Sequence, residues 1–191
     1  MSGQKLDKTM PPARQQRPPS RFVSPTFAAF ACIAAQTLFL LIGGDGRGDE
    51  CAGFWQQGFD VACNSQHPAD AYIWLHLGFG AALAVLFSTI RPFWPRPDIL
   101  FLVIFCAAVW EMVENTSFVI GLFSYDEAMG YSGDSLRNSL MDTAAAAVGA
   151  LGAFALPRRL ALSLVVMIEL SVTLAIGDGY VIGLLRTTGI F

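Results

Sequence analysis

Residues 101–123 read FLVIFCAAVWEMVENTSFVIGLF. The run is long and apolar enough to cross a bilayer, whose hydrocarbon core takes about 20 residues of helix. Yet its second half carries Glu111, Glu114 and Asn115. Their i, i+3, i+4 spacing puts all three on one helical face. An ionisable group at the centre of a membrane helix costs roughly 2.5–3.5 kcal/mol on insertion scales. Two carboxylates on one face therefore call for polar partners on other helices, or for chemistry.

The neighbouring segments supply matching groups. Residues 130–142, GYSGDSLRNSLMD, lead into an alanine-rich run that stops before Pro157-Arg158-Arg159. Asp134, Asn138 and Asp142 are spaced i, i+4, i+8, again one helical face if the helix includes Asp134, bordered by Ser135 and Ser139. The apolar stretch Ala71–Ile90 holds His76, with Tyr72 one turn before it. If helix three ends at Phe123, Glu114 lies about 13 Å below that end. Asp142 lies about 10 Å below the start of helix four, and His76 about 7 Å in from Ala71. These depths predict one polar pocket in the outer half of the membrane, built from helices two, three and four. Its candidate acid/base residues are Glu114 and Asp142. Its candidate binding residues are His76, Glu111, Asn115, Asp134, Asn138 and Ser139. The competing reading is a hydrogen-bonded network that only holds the helices together. Ala145, Gly149 and Gly152 on helix four are read as packing positions, since small residues let membrane helices approach closely.

The whole chain fits this setting. Of 191 residues, 54% are hydrophobic and 14% charged, against roughly 25% charged in a soluble domain. That excludes an ordinary soluble protein and a disordered one. A net charge of -3 without a basic face argues against nucleic-acid binding, and leaves the lipid bilayer as the expected surroundings; no protein partner is identified. The fold class is all-α, a polytopic membrane helix bundle of about five transmembrane helices, near 25–43, 71–90, 98–123, 135–156 and 160–177, within a membrane domain over 24–191. Residues 1–23, proline-rich and carrying Lys5, Lys8, Arg14, Arg17 and Arg21, are expected to form a disordered tail. The first apolar run lacks a following A-x-A site and reads as an uncleaved helix. Periodicity does not decide whether residues 180–191 extend the last helix or lie at the interface.

Basic residues set the orientation. The tail, Arg91 and Arg96, and Arg158 and Arg159 fall on one side. This predicts a cytoplasmic N-terminus and a C-terminus outside. Cys51 and Cys63 then share an outer loop in an oxidising compartment, where a disulfide closing a loop of this size is worth about 3 kcal/mol. Cys32 and Cys106 sit in apolar helices and read as small hydrophobes.

The segments WEMVENTSFVI and GYSGDSLRNSLMD resemble a family of bacterial inner-membrane proteins of unknown function found mainly in alphaproteobacteria. The family pattern is an E-N pair, then G-Y-x-G-D-S-x-x-N-S-x-x-D, here Glu114 and Asn115, then Gly130, Tyr131, Gly133, Asp134, Ser135, Asn138, Ser139 and Asp142. It is specific over about 30 residues. After the E-N-T segment this chain has GLFSYDEA where the family carries an Arg-containing segment. The resemblance implies a multi-pass inner-membrane location and no particular activity.

Three function classes follow from the residues. Paired carboxylates taken out of water can hold one proton between them, the requirement for general acid–base work in a membrane-embedded hydrolase or lipid-modifying enzyme. A metal-dependent form would use His76, Glu111, Glu114 and Asp142 as N/O ligands. No zinc-type or HExxH spacing supports it, so neither a metal nor another cofactor is assigned. The second class is a carrier or accessory subunit that binds a proton, a cation or a small molecule. The third is a structural or assembly protein.

Overall fold

The computed structural model describes residues 23–43, 51–56, 60–124 and 131–188. The expected disordered tail, residue 23 apart, lies outside them. Seven α-helices form among the described residues: α1 (Pro25–Ile42), α2 (Ile73–Ile90), α3 (Arg96–Glu114), α4 (Ser117–Phe123), α5 (Leu136–Ala155), α6 (Arg158–Ile176) and α7 (Tyr180–Thr187). Local signals set their ends. The Ser24 hydroxyl caps α1 by accepting from Phe27 N at 3.1 Å, and Ser135 caps α5 by accepting from Asn138 N at 3.2 Å; both satisfy amides that a helix start leaves free. Pro97 and Pro157 open α3 and α6, where a missing N–H costs nothing. Gly177, at φ 72°, ends α6 in the left-handed conformation that glycine adopts without strain.

Three of these helices, α1, α2 and α6, are long and apolar enough to cross a membrane, and α3 with α4 would make a fourth. α5 is less apolar because it is the central element. It packs along α2 and against α3, while α1 covers α3 and α6 covers α2. The core between α2, α3 and α5 is made of Ala84, Val103, Ala107, Ala146 and Ala150. Small side chains there bring backbones together. At Gly80 and Gly149 no Cβ fits: it would run into the carbonyl of Ala146 and of Leu77 respectively. Gly152 faces open space, so of the two glycines expected to pack only Gly149 does. The outward faces stay apolar, for example Phe30, Leu41, Met167 and Leu174.

One expected helix is corrected. The stretch 98–123 is not continuous: α3 ends at Glu114 and α4 leaves it at 78°. Asn115 stops the helix by turning its side-chain amide back onto the Glu111 carbonyl at 3.0 Å, a local bond that competes with helix propagation. Thr116 then caps α4 by accepting from Val119 N. Glu114 is thus the last residue of α3 rather than a position deep inside a longer helix, and the depth reckoned from Phe123 does not apply. The last helix is likewise two: α7 is separated from α6 by Gly177-Asp178-Gly179, and residues 189–191 lie outside the described ones. Glu169, an ionisable residue in α6, accepts from Val181 N at 3.0 Å and so ties the start of α7 to α6.

The predicted disulfide is present. Cys51 and Cys63 are bonded, with Cα atoms 5.8 Å apart. The bond closes a loop whose continuation, Asn64 to Asp70, is buried apart from Pro68 over the end of the bundle.

Candidate functional site

The eight sequence-selected residues separate into two groups with different work. Asn115, Asp134, Asn138 and Ser139 belong to a scaffold whose polar groups satisfy one another. Asn115 donates to the Ser139 hydroxyl at 3.1 Å and, more weakly, to Asp134 at 3.4 Å, while its carbonyl oxygen accepts from Asp134 N at 2.8 Å. Asn138 donates to the His67 carbonyl at 2.8 Å. Ser135 donates from its hydroxyl to the Gln66 carbonyl at 3.2 Å and from its amide to Ser65 O. Gln66 donates to the Gly133 carbonyl at 2.9 Å. The buried loop 64–70 is therefore sewn to the start of α5 and to the break after α3. Every buried polar group so paired avoids a loss of about 1–3 kcal/mol.

His76, Glu111, Glu114 and Asp142 form the second group. His76, from α2, stands between the other two helices. Its Nδ1 is 3.3 Å from Glu111 Oε1 on α3, and its Nε2 is 3.7 Å from Asp142 Oδ2 on α5. Both are close contacts without hydrogen-bond geometry. Both carboxylate oxygens of Glu111, one of Glu114 and one of Asp142 are buried with no hydrogen-bond partner among the described residues. Glu111 is 0% exposed and Asp142 2%. Single unpartnered atoms also occur in and beside the loop network, at Gln66 Oε1, Asp70 Oδ2 and Tyr131 Oη, but the four on these three carboxyl groups are gathered about His76 and mark the centre.

The centre forms the floor of a cavity of about 470 Å³, reached by His76, Glu114 and Asp142 and, from the scaffold group, by Asp134 and Asn138. Apolar and aromatic walls rise from it: Leu75 and Trp110 from α2 and α3, Leu122 and Phe123 from α4, Leu184 from α7, with Tyr180 at the start of α7. The break after Glu114 thus has a purpose in the fold, because it swings α4 aside to make a wall instead of filling the space. α7 is fixed as the opposing wall by Asp178, which accepts from Tyr72 Oη at 3.2 Å and faces Arg186 at 3.5 Å.

At the loop end, outside the spanning helices, burial pushes the Asp134 carboxyl up to about 7, and the nearby Asp70 charge adds to this. Asp70 is raised as well, again by burial, although the amides of Tyr72 and Ile73 and the Asn138 side chain stabilise its ionised form. Burial likewise raises Tyr131, helped by the Asp134 charge. A crowded set of buried acids behaves this way.

Several participants were not anticipated. Gln36, 0% exposed, donates to the Ser139 carbonyl at 3.1 Å and accepts from Thr143 Oγ1 at 3.1 Å. A lone amide in apolar α1 was the available signal. The cavity walls from α4 and α7, and the loop residues Ser65 to Asp70, had no periodic signature, since they depend on chain reversals.

The comparisons with known proteins concern this region of the chain. A family model described as "Protein of unknown function (DUF2585)" matches residues 46–187. A UPF0314 protein of Brucella anthropi is 35% identical over 116 residues, covering 60% of this chain and 59% of that protein. One from Agrobacterium fabrum is 33% identical over 120 residues, 61% of this chain and 59% of its own. The chain thus spans about three fifths of the length of these two relatives. A UPF0314 protein of Novosphingobium aromaticivorans is 33% identical over 174 residues, 84% of this chain and 85% of that protein. No solved structure matches. By the extent of these matches the chain belongs to the DUF2585 family, whose relatives here are the uncharacterised UPF0314 proteins of alphaproteobacteria.

Proposed function

We propose that this chain is a five-span protein of the bacterial inner membrane, with its N-terminus cytoplasmic and its C-terminus outside. Its cavity takes the head of a membrane-borne amphiphile and modifies it by acid–base chemistry, with Glu114 and Asp142 exchanging the protons. The observation that carries this reading is the cavity itself: a floor of His76, Glu114 and Asp142 under walls of Leu122, Phe123, Tyr180 and Leu184. Its volume of about 470 Å³ lies within the usual range for small-molecule sites. A polar floor with apolar walls suits a molecule that is polar at one end. Hydrolysis or group transfer is the chemistry that two carboxylates and an imidazole support best. A purely structural role leaves four unpartnered oxygens unexplained, where an apolar core would have been less costly.

Two measurements test the proposal. Reporter fusions after Gly46, Pro95 and Glu127 should be active outside, inside and outside respectively; a cytoplasmic reporter active at Gly46 overturns the orientation. Lipid extraction and mass spectrometry of the purified protein should show one amphiphile class enriched over its share of the membrane. Leu184→Trp, which fills the cavity from an exposed wall, should remove that enrichment and leave thermal stability unchanged. Lipid retained in the bulk membrane proportions, or equally in both proteins, counts against the cavity as a binding site.

A further inference from the structure

We propose that His76, Glu111 and Glu114 hold a divalent transition-metal ion, of the zinc or manganese class, at the floor of the cavity. The inference deepens the reading of the same centre; it rests on that reading for the use of the ion, not for its binding.

The geometry comes first. One ligand atom from each of the three residues lies within 4.8 Å of the other two. His76 Nδ1 and Glu111 Oε1 are 3.3 Å apart. Two ligands about 2.0–2.1 Å from a tetrahedral ion stand about 3.3–3.4 Å from each other, so this pair is already at the spacing of adjacent ligands. An ordinary hydrogen bond does not explain the pair, because its geometry is not met.

The second observation is the state of Glu111. It is 0% exposed and aimed into the cluster, and neither of its carboxylate oxygens has a hydrogen-bond partner among the described residues. A buried carboxylate requires a partner, and metal coordination is one of the few that serve. No lysine or arginine among the described residues lines the cavity. Arg186, on α7, is engaged with Asp178 and with the Gly177 carbonyl.

The surroundings fit the same assignment. The other nitrogen of His76 faces Asp142 Oδ2 at 3.7 Å. A carboxylate on this side of a ligating imidazole is the usual companion of a metal site, and Asp142 is placed to hydrogen-bond His76 once the ring turns toward the ion. His76 and Glu114 line the cavity while Glu111 does not, so three protein ligands would close one side and leave the remaining positions toward the substrate space, as catalytic sites do. One imidazole and two carboxylates without sulfur favour zinc, manganese or iron(II) over copper(I). The other trio with metal-like spacing, Cys51, Cys63 and His67, is no rival, since both sulfurs are in the disulfide. With the ion present Glu114 becomes a ligand, and Asp142 is left as the cavity-facing carboxyl that exchanges protons.

The full chain, purified with a histidine-free tag and stripped with a chelator, is titrated separately with Zn²⁺ and Mn²⁺. Elemental analysis, calorimetry and thermal melting in detergent are the readouts. About one ion per chain is expected for one of the two metals, with a raised melting temperature reversed by chelator. Glu111→Gln and Glu114→Gln keep side-chain shape and should each abolish stoichiometric binding while melting like the stripped parent. Asp142→Asn should keep the stoichiometry and weaken affinity about 10–100-fold, as loss of an orienting partner does. No stoichiometric binding of either ion by the parent overturns the proposal, as does unchanged binding in both Gln variants. If the parent binds neither ion but retains an amphiphile, the metal site fails and the cavity reading stands; an ion bound without any enriched amphiphile separates them the other way.

Discussion

Gly149→Ala keeps the protein from accumulating in the membrane, and Gly80→Ala does the same. At each position the added methyl meets backbone: the Leu77 carbonyl in one case, the Ala146 carbonyl in the other. A side chain can swing away from an intruding methyl, but a helix carbonyl cannot without moving its helix. α2 and α5 would have to separate along their whole contact. Ordinary overpacking costs about 1–3 kcal/mol, and a backbone clash at the centre of the bundle belongs at or above the top of that range. Separation would also pull His76 on α2 away from Asp142 on α5, now 3.7 Å from it. Gly152→Ala is the internal control, because nothing lies within 4 Å of a methyl there. Immunoblots of membrane fractions and detergent melting curves measure the effect. Normal accumulation of Gly149→Ala at an unchanged melting temperature would show that α2 and α5 are not in backbone contact.

Asp142→Asn abolishes function without harming the fold. The carboxyl is 2% exposed, one of its oxygens has no hydrogen-bond partner among the described residues, and the other faces His76 at 3.7 Å. Asparagine keeps the shape and one acceptor oxygen but cannot take up or release a proton. Complementation of a deletion strain should therefore be lost, while the melting temperature stays within a few degrees. Asp142→Leu also loses function, yet accumulates as well as the parent or better. The reason is that replacing a poorly partnered buried acid by an apolar residue is often neutral or stabilising by about 1–4 kcal/mol. A structural Asp142 gives the opposite pattern. Asparagine would then complement in full, and leucine would leave partners unpaired at a cost of about 1–3 kcal/mol and fail to accumulate. That outcome would remove Asp142 from the acid–base assignment.

Much of this protein is legible before folding is considered. Apolar runs of membrane length, the prolines and glycines between them, and the helical spacing of Glu111 with Glu114 and of Asn138 with Asp142 are properties of neighbours along the chain, whereas Asp134 precedes α5 and is not on its face. Each needs only the 3.6-residue period or the local φ preference to be read. The Cys51–Cys63 pair was legible for a related reason, since two cysteines in one short outer loop have few alternatives. His76 stood out because an imidazole in an apolar helix calls for a partner, although the sequence did not say which.

What the tertiary structure decided is the division of labour among these groups. Asn115 looked like a third polar residue on a continuous helix. Because its amide turns onto the Glu111 carbonyl and onto Ser139 from another helix, it ends α3 and makes α4 a wall. Asn138 reaches the cavity while its amide is held by the His67 carbonyl, and the Ser139 hydroxyl accepts from Asn115. The cavity has walls from α4 and α7 that meet only after the chain has reversed several times. Helical spacing specifies which face a side chain is on. Whether that face meets a donor, an acid or an open space depends on which other helix arrives there, and at what distance, and that is fixed by packing between segments far apart in sequence: Gly80 against Ala146, Gly149 against Leu77.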